Sequence, residues 1–330
     1  MDNVLPISWS DIDGPKLSAI NLELTAKCNE KCSFCPNPLP DFRAKGDIAL
    51  NLIEKMTEEL SQDISIAVCG IGEPSLHPRF EEAIQILNGH FRRISVVTNG
   101  CLFRNEKLSN SVLLKNVNKI NVSIDYVDPK QYLAVKQAKL DKILSYLDGY
   151  INIANDSEYS PMLQINFLYD SIKGADEYIK AYEYFSKKIK KDNWCIYIRK
   201  IKNWAEQVSI KEESDEELLD HLFKDYIGAN FVVENWNRYL RNTNWISDQE
   251  KPNTCRHIYK YYMLLWNGDV VPCCIDAKGT MPVGNANAKG FNFNDIFFSA
   301  EYVELRKQID QRNFKLYPLC GRCNDFYKHP

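Results

Sequence analysis

Cys28, Cys32 and Cys35 stand at the spacing C-x3-C-x2-C in the stretch TAKCNEKCSFCPNP. Three thiolates on one short loop suit three corners of a cubane iron–sulfur cluster and leave the fourth iron open to another ligand. A zinc loop or a set of reactive thiols are the alternatives, although structural zinc commonly takes four protein ligands, often in C-x2-C pairs. A second group comes late in the chain: Cys255, twelve residues, Gly268, four residues, Cys273, and then Cys320-x2-Cys323. Four thiolates drawn from a hairpin and a terminal knuckle can enclose a metal completely, whether a cluster or a zinc ion. Adjacent side chains on an extended strand point to opposite faces, so only one of Cys273 and Cys274 is expected to ligate. Cys69, Cys101 and Cys195 occur singly on or beside apolar runs and read as inert thiols of the core.

The elements that must position these groups follow from periodicity. Short apolar runs at Ala19–Leu24, Ile64–Cys69, Ile94–Thr98, Lys119–Ile124, Leu163–Leu168 and Cys195–Arg199 alternate with helix-like segments such as FEEAIQIL. Six strand-then-helix units imply parallel neighbours, either a doubly wound sheet or an open barrel. Both architectures place ligands at the carboxyl ends of the strands. Cys28 follows the first run, Gly72 and Glu73 the second, and Asn99 and Gly100 the third. Residues 205–254 loosen into charged, aromatic-rich sequence, with EESDEELLDHLF resembling an acidic helix start, and read as a connector. Beyond them YKYYMLLWNGDVVPCC reads as a hairpin turning at Asn267 and Gly268, followed by a helix near Ser299–Ile309.

The 330 residues suit one large domain carrying a smaller one, and 45% hydrophobic content is ample for a conventional core. With 41 Lys+Arg against 44 Asp+Glu, the formal charge of −3 offers no general attraction to nucleic acid or anionic lipid. No apolar stretch is long enough to span a bilayer, and the acidic start MDNVLPISWSDIDG has no secretory h-region. The expectation is therefore a cytoplasmic protein that binds neither membrane nor nucleic acid. Eleven cysteines in a reducing compartment point to metal or redox chemistry before disulfides. The five histidines show no paired metal spacing, and His77 beside the glycine-rich turn is read as structural. The aromatic run Tyr259, Tyr261, Tyr262 and Trp266 is read as hairpin packing.

The three-cysteine loop, with Phe34 before its last cysteine, resembles the radical S-adenosylmethionine (SAM) superfamily. The resemblance runs through residues 19–200. It implies a partial (β/α)6 barrel, a 4Fe–4S cluster at Cys28, Cys32 and Cys35, and S-adenosylmethionine chelating the open iron. In that family reductive cleavage of the bound sulfonium gives a 5'-deoxyadenosyl radical. Gly70, Gly72, Glu73 and Pro74 resemble the family's glycine-rich segment, whose backbone meets the methionyl ammonium; Ile71 replaces its first glycine. Thr98 and Asn99 resemble the segment ending the third strand, and Ser123 and Asp125 the S-x-D positions that approach the ribose. Asn166 is a further candidate for adenosine or substrate contact. Period-2 alternation would put Ser123 and Asp125 on one face.

The late cysteines resemble the shortened, twitch-type form of the SPASM auxiliary-cluster domain, with Cys255, Cys273, Cys320 and Cys323 as ligands of one further 4Fe–4S cluster. The expected organisation is a barrel over 1–204, a connector over 205–254 and a small α+β auxiliary domain over 255–330. The short stretch after Cys323 leaves no room for the second cluster of a full SPASM domain. The resemblance further implies a one-electron donor such as flavodoxin or ferredoxin. It suggests a small-molecule substrate, with oxidation of a sugar or cyclitol alcohol favoured, in natural-product or surface-polysaccharide synthesis. Modification of a ribosomal peptide by crosslinking, epimerisation or oxidation is the alternative; fewer than thirty residues before Cys28 count against a leader-recognition domain. A metal-stabilised binding protein without activity is the third reading.

Overall fold

The computed structural model describes residues 15–105, 113–169, 175–200, 231–233 and 255–323. Among the described residues ten strands form one sheet, in the order β10-β9-β8-β1-β2-β3-β4-β5-β6-β7. The first six are β1 (Ala19–Leu22), β2 (Ser65–Val68), β3 (Arg93–Thr98), β4 (Lys119–Ser123), β5 (Met162–Tyr169) and β6 (Cys195–Lys200). Each pairs in parallel with the next. This is the expected strand–helix alternation of a mixed α/β partial barrel.

Burial alternates along these strands. Ile20, Leu22, Ile66, Val68, Ile94, Val96, Ile120 and Val122 are buried. The intervening Asn21, Ala67, Ser95, Asn121 and Ser123 are half-buried. Full burial of such an aliphatic side chain stabilises by about 1.5–3 kcal/mol. One face of the sheet thus supplies the core and the other carries the half-buried residues, most of them small or polar.

The crossover helices are amphipathic for the same reason. Helix α1 (Leu50–Glu59) buries Leu50, Leu52, Ile53 and Met56, and α2 (Phe80–Asn88) buries Phe80, Ala83, Ile84 and Leu87. The second set has the i, i+3, i+4, i+7 spacing of one helical face. Helix α3 (Pro129–Lys136) starts at Asp128, whose carboxylate accepts from Lys130 and Gln131 N–H at 2.9 Å each. Pro129 occupies its first turn, where the missing N–H costs nothing. Helices α4 (Leu140–Asp156) and α5 (Ala175–Ser186) complete the crossovers.

The hairpin strands β8 (Tyr261–Leu264) and β9 (Asp269–Val271) are antiparallel, with Gly268 at φ +88° in the turn. Strand β8 pairs in parallel with β1, and β10 (Gly284–Asn285) pairs with β9. The late segment therefore extends the barrel's own sheet. Helices α6 (Ala300–Asp310) and α7 (Pro318–Gly321) follow, and Ser299 caps α6 by accepting from Tyr302 N–H. Inside the segment read as a connector, Phe231–Val233 forms β7, parallel to β6. Three apolar residues in a charged stretch gave too short a run for period-2 alternation to mark. The acidic helix start expected at EESDEELLDHLF lies outside the described residues. Among the described residues no helix is long and apolar enough to cross a membrane.

Candidate cluster and cofactor site

The Cys28–Cys35 loop leaves β1 and docks on two neighbours. Lys31 N–H donates to Lys136 C=O at 3.2 Å and Ser33 N–H to Val135 C=O at 2.9 Å. Those carbonyls close α3, where a helix leaves acceptors without internal partners, so the loop satisfies the helix end while being held by it. Asn37 Nδ2 donates to Ala26 C=O at 3.0 Å and to Ile71 C=O at 2.8 Å, and Lys45 Nζ secures Asn37 Oδ1 at 2.6 Å. Burial pushes the Cys28 thiol up to about 12 and raises Cys32 and Cys35 as well. Such thiols ionise when a metal takes the proton's place.

Glu73 joins the ends of β2 and β3. Its carboxylate accepts from Ser75 N–H (3.2 Å), Ser75 Oγ (2.7 Å), Thr98 Oγ1 (2.9 Å) and Asn99 N–H (2.7 Å). Burial raises its pKa against the pull of these bonds. Asn99 then reaches the cysteine loop, with Nδ2 3.0 Å from Asn29 Oδ1 and 3.8 Å from Cys28 Sγ. A Cβ on Gly72 would stand 2.1 Å from Thr25 C=O and 2.7 Å from Lys27 C=O, so only glycine fits. Ile71, the departure from the expected glycine, turns its side chain into a small apolar group with Phe42 and Ala277 beside Cys35. Its main chain stays engaged, N–H to Glu23 Oε1 and C=O to Asn37, which is why a side chain is tolerated there.

Strand β4 ends at Ser123, and Asp125 adopts φ +68°, so the alternation expected to align Ser123 with Asp125 does not extend that far. Asp125 N–H donates to Asn166 C=O, and its Oδ2 meets Lys136 Nζ at 3.1 Å. Lys136, at 1% exposure, also donates to Ser123 C=O at 2.5 Å and pairs with Glu30 Oε2 at 3.3 Å. Tyr132 hydroxyl completes the network on Glu30 Oε1 at 3.0 Å. Glu30 lies between Cys28 and Cys32, and burial raises its pKa while Lys136 and Tyr132 oppose the shift. Asn166 is buried, its Oδ1 accepting from Gln164 Nε2 at 2.7 Å. The structure thus brings Glu73, Thr98 and Asn99 to Cys28, and Asp125, Ser123 and Asn166 to the network beside Cys32. Sequence reasoning missed Glu30, Tyr132 and Lys136. The one available signal was an acidic residue inside the cysteine loop.

His77 is structural, as read: Nδ1 accepts from Arg79 N–H at 3.1 Å, so Nε2 donates to Ile48 C=O at 3.0 Å.

The late cysteines meet on a separate apolar patch. Cys273, Cys320 and Cys323 pack on Ile275, Met281 and Leu319, whereas Cys274 turns towards Met263, Leu265 and Val271. Strand β9 ends at Val271, so the alternation expected of Cys273 and Cys274 does not reach them; they lie in the turn that follows, where Cys273 packs with the terminal pair and Cys274 does not. Burial, then the Cys255 thiolate, pushes Cys320 up to about 12, so Cys255 belongs to the same neighbourhood. Buried Asp276 ties the turn after them, accepting from Thr280 N–H, Thr280 Oγ1 and Met281 N–H at 2.8–2.9 Å. Among the described residues no three His, Cys, Asp or Glu side chains lie close enough together to share one metal ion. The donor sets, three thiols with a glycine cradle, and Cys273, Cys320 and Cys323 on an apolar bed with Cys255 in their neighbourhood, are chemically suited to the two clusters and the sulfonium cofactor.

One short segment links the surroundings of the two groups. Ile275 packs with the late cysteines, and Ala277, two residues on, packs with Phe42 and Ile71 beside Cys35.

The family model described as "Radical SAM superfamily" matches residues 22–152, and SPASM, "Iron-sulfur cluster-binding domain", matches residues 255–324. The chain is 26% identical over 163 residues to the S-adenosylmethionine-dependent nucleotide dehydratase of Selenomonas ruminantium, covering 48% of this chain and 58% of that protein. It is 31% identical over 179 residues to a probable GTP 3',8-cyclase of Methanocella arvoryzae, covering 51% and 52%. The chain thus spans about half the length of these relatives. Among solved structures, Streptococcus suis SuiB bound to its precursor peptide SuiA superposes with TM-score 0.68 at 17% identity, over 88% of this chain and 66% of SuiB. BtrN, in complex with AdoMet and 2-DOIA, superposes with TM-score 0.55 at 18% identity over 94% of both chains. These likenesses are of fold.

Proposed function

The chain belongs to the radical SAM superfamily and carries a SPASM iron–sulfur domain, and from that premise we propose that it oxidises an alcohol carbon of a sugar or cyclitol. When bound, the clusters and S-adenosylmethionine supply a 5'-deoxyadenosyl radical at the first site and a one-electron acceptor at the second. The substrate carbon gives up a hydrogen atom to the radical, its hydroxyl gives up a proton, and one electron leaves, so that CH–OH becomes C=O. The chain's own residues do the rest. Cys28, Cys32 and Cys35 would hold the first cluster, the backbone of Gly70–Pro74 would receive the methionyl group, and Cys255, Cys273, Cys320 and Cys323 would hold the second cluster.

The observation that carries this reading is the short segment Ile275–Ala277, which packs with the late cysteines at one end and with Phe42 and Ile71 beside Cys35 at the other. A carbon radical beside a deprotonated hydroxyl is strongly reducing, and a neighbouring acceptor takes its electron before the hydrogen returns. Full ligation by four thiolates leaves no iron for substrate, which favours electron acceptance over substrate coordination. Further support comes from the fold match to BtrN over nearly the whole of both chains. The names of the curated relatives also point to nucleotides, small molecules that contain a sugar. The fold likeness to SuiB with its precursor peptide favours peptide modification as the second reading.

Incubation of the reconstituted chain with S-adenosylmethionine, reductant and deuterated candidate alcohols tests this. The expected result is a product lighter by two hydrogens, deuterium in 5'-deoxyadenosine, and one cofactor consumed per product. A product isomeric with its substrate, or turnover of peptides alone, would overturn alcohol oxidation. The Cys320→Ala, Cys323→Ala variant should still cleave the cofactor while forming little oxidised product; full product from a variant shown to lack the second cluster would overturn the acceptor role.

A further inference from the structure

Helix α6 buries a cation whose charge the described residues answer only in part. Arg306 is 4% exposed, and its Nε donates to Ile258 C=O at 2.9 Å. Nη1 and Nη2 are both buried and have no hydrogen-bond partner among the described residues. The guanidinium lies among aromatic rings instead, 4.2 Å from the centroid of Phe297, 4.3 Å from Tyr302 and 5.6 Å from Tyr259. Ring faces attract a cation, but they compensate only part of the desolvation of an ion in a protein interior. Asp310, one turn on, spends Oδ2 on the Tyr259 hydroxyl and tempers the guanidinium without hydrogen-bonding to it. Burial pulls the Arg306 pKa down, yet a guanidinium stays charged in proteins.

Tyr302 is linked to the late cysteines through Tyr261, whose hydroxyl lies 3.9 Å from Cys274 Sγ. The Tyr302 hydroxyl donates to Tyr261 C=O at 3.0 Å. Burial raises the pKa of both phenols, and the thiolates of Cys273 and Cys255 raise them further, whereas Arg306 lowers that of Tyr302. Tyr302 and Tyr261 thus form a chain of contacts from the guanidinium to the late cysteines. The bond to Ile258 also anchors the helical turn Arg256–Tyr259, which begins at Cys255.

We propose that Arg306 is a positioning residue for the auxiliary cluster, whose buried charge stabilises the cluster's reduced form and raises its reduction potential. A cubane held by four thiolates is an anion and gains a further negative charge on reduction, so a fixed cation nearby favours the electron-rich state. Net charge and the surrounding protein are the levers by which such potentials are set. The inference rests on the reading that Cys255, Cys273, Cys320 and Cys323 hold an electron-accepting cluster. It adds the residue that makes the acceptor strong enough.

The test is a redox titration followed by electron paramagnetic resonance on the anaerobically reconstituted full chain, in a Cys28→Ala, Cys32→Ala, Cys35→Ala background that isolates the auxiliary signal. Arg306→Met keeps a long apolar stem and removes the charge, so its midpoint should move to more negative potential. Arg306→Lys keeps a charge and should stay near the parent. An Arg306→Met variant with parent iron content and an unmoved midpoint overturns the proposal. If Arg306→Met does not load the cluster, Arg306→Lys decides: parent iron and parent midpoint support the charge, while a shifted midpoint or an unloaded site shows a role of shape and overturns it. Absence of auxiliary iron in the background protein itself overturns the proposed function and this inference together, whereas an unmoved midpoint leaves that function standing.

Discussion

Arg43 and Glu23 form an ion pair at 2.5 Å inside the protein, their side chains 11% and 0% exposed. The pair is a junction of four segments. Glu23 ends the first strand's run and accepts Ile71 N–H from the glycine-rich turn at 3.2 Å and Trp266 N–H from the hairpin at 3.3 Å. Arg43, on the loop beyond the three cysteines, donates through Nε to Ala277 C=O at 2.7 Å. The glycine-rich turn and the late hairpin are thus tied through one carboxylate. Arg43→Met leaves that carboxylate buried without its cation and should cost about 3–5 kcal/mol in denaturant unfolding of the apo chain. The double variant Arg43→Met, Glu23→Gln should lose less than the sum of the two single changes; additive losses would show that the residues do not act as a pair.

The glycine-rich turn makes a sharper claim. An added Cβ at Gly72 would meet the main chain of Thr25 and Lys27, neither of which is a flexible side chain able to move aside. Gly72→Ala should therefore displace the loop that leads into Cys28. The expected outcome is at least a tenfold loss of S-adenosylmethionine affinity in equilibrium binding, about 1.4 kcal/mol or more, with auxiliary iron retained. Parent affinity would remove this backbone from the cofactor site.

The two cysteine groups should behave independently towards iron. Two cubanes correspond to about eight irons per chain, and Cys28→Ala, Cys32→Ala, Cys35→Ala should leave about four. The same variant should form no 5'-deoxyadenosine under dithionite, because the open iron that chelates the cofactor is lost. Iron analysis showing total loss, or none, would contradict two separate sites; cleavage at the parent rate would contradict the assignment of the first.

What the chain reveals without coordinates follows from the range of each interaction. The strands and the two cysteine groups are local patterns: alternation in RISVVT, a turn at Asn267 and Gly268, thiols three and four positions apart. The structure places them where those patterns point. Glu30, Lys136, Glu23, Arg43 and Arg306 were illegible because each is an ordinary charged residue whose burial is set by partners far away in sequence. Lys136 meets Glu30 across more than a hundred positions, and Arg43 meets Ala277 across 234. The expected alignment of Ser123 with Asp125 failed differently. Period-2 alternation is valid only while the strand lasts, and the positive φ at Asp125 ends it.

Asp125 was expected to meet the cofactor's ribose, and its ion pair with Lys136 gives the residue a second duty that mutagenesis can separate. Lys136 is shared by Asp125 Oδ2 at 3.1 Å and Glu30 Oε2 at 3.3 Å, all three side chains being nearly inaccessible. Asp125→Asn keeps the shape and leaves Glu30 as the ammonium's counter-charge, so the stability loss should be modest, about 1–3 kcal/mol. Lys136→Met strands two carboxylates in the interior and should cost more, about 3–5 kcal/mol, unless one of them takes up a proton. The loss should reach the Cys28–Cys35 loop, because Glu30 lies within it and Lys136 closes the helix that receives its N–H groups. Hydrogen exchange of Lys31 and Ser33 amides should therefore quicken in Lys136→Met before global unfolding does. Equal destabilisation by the two variants would refute the shared-ammonium account. If Asp125→Asn weakens S-adenosylmethionine binding while stability and loop exchange hold at the parent values, the carboxylate acts on the cofactor rather than through Lys136.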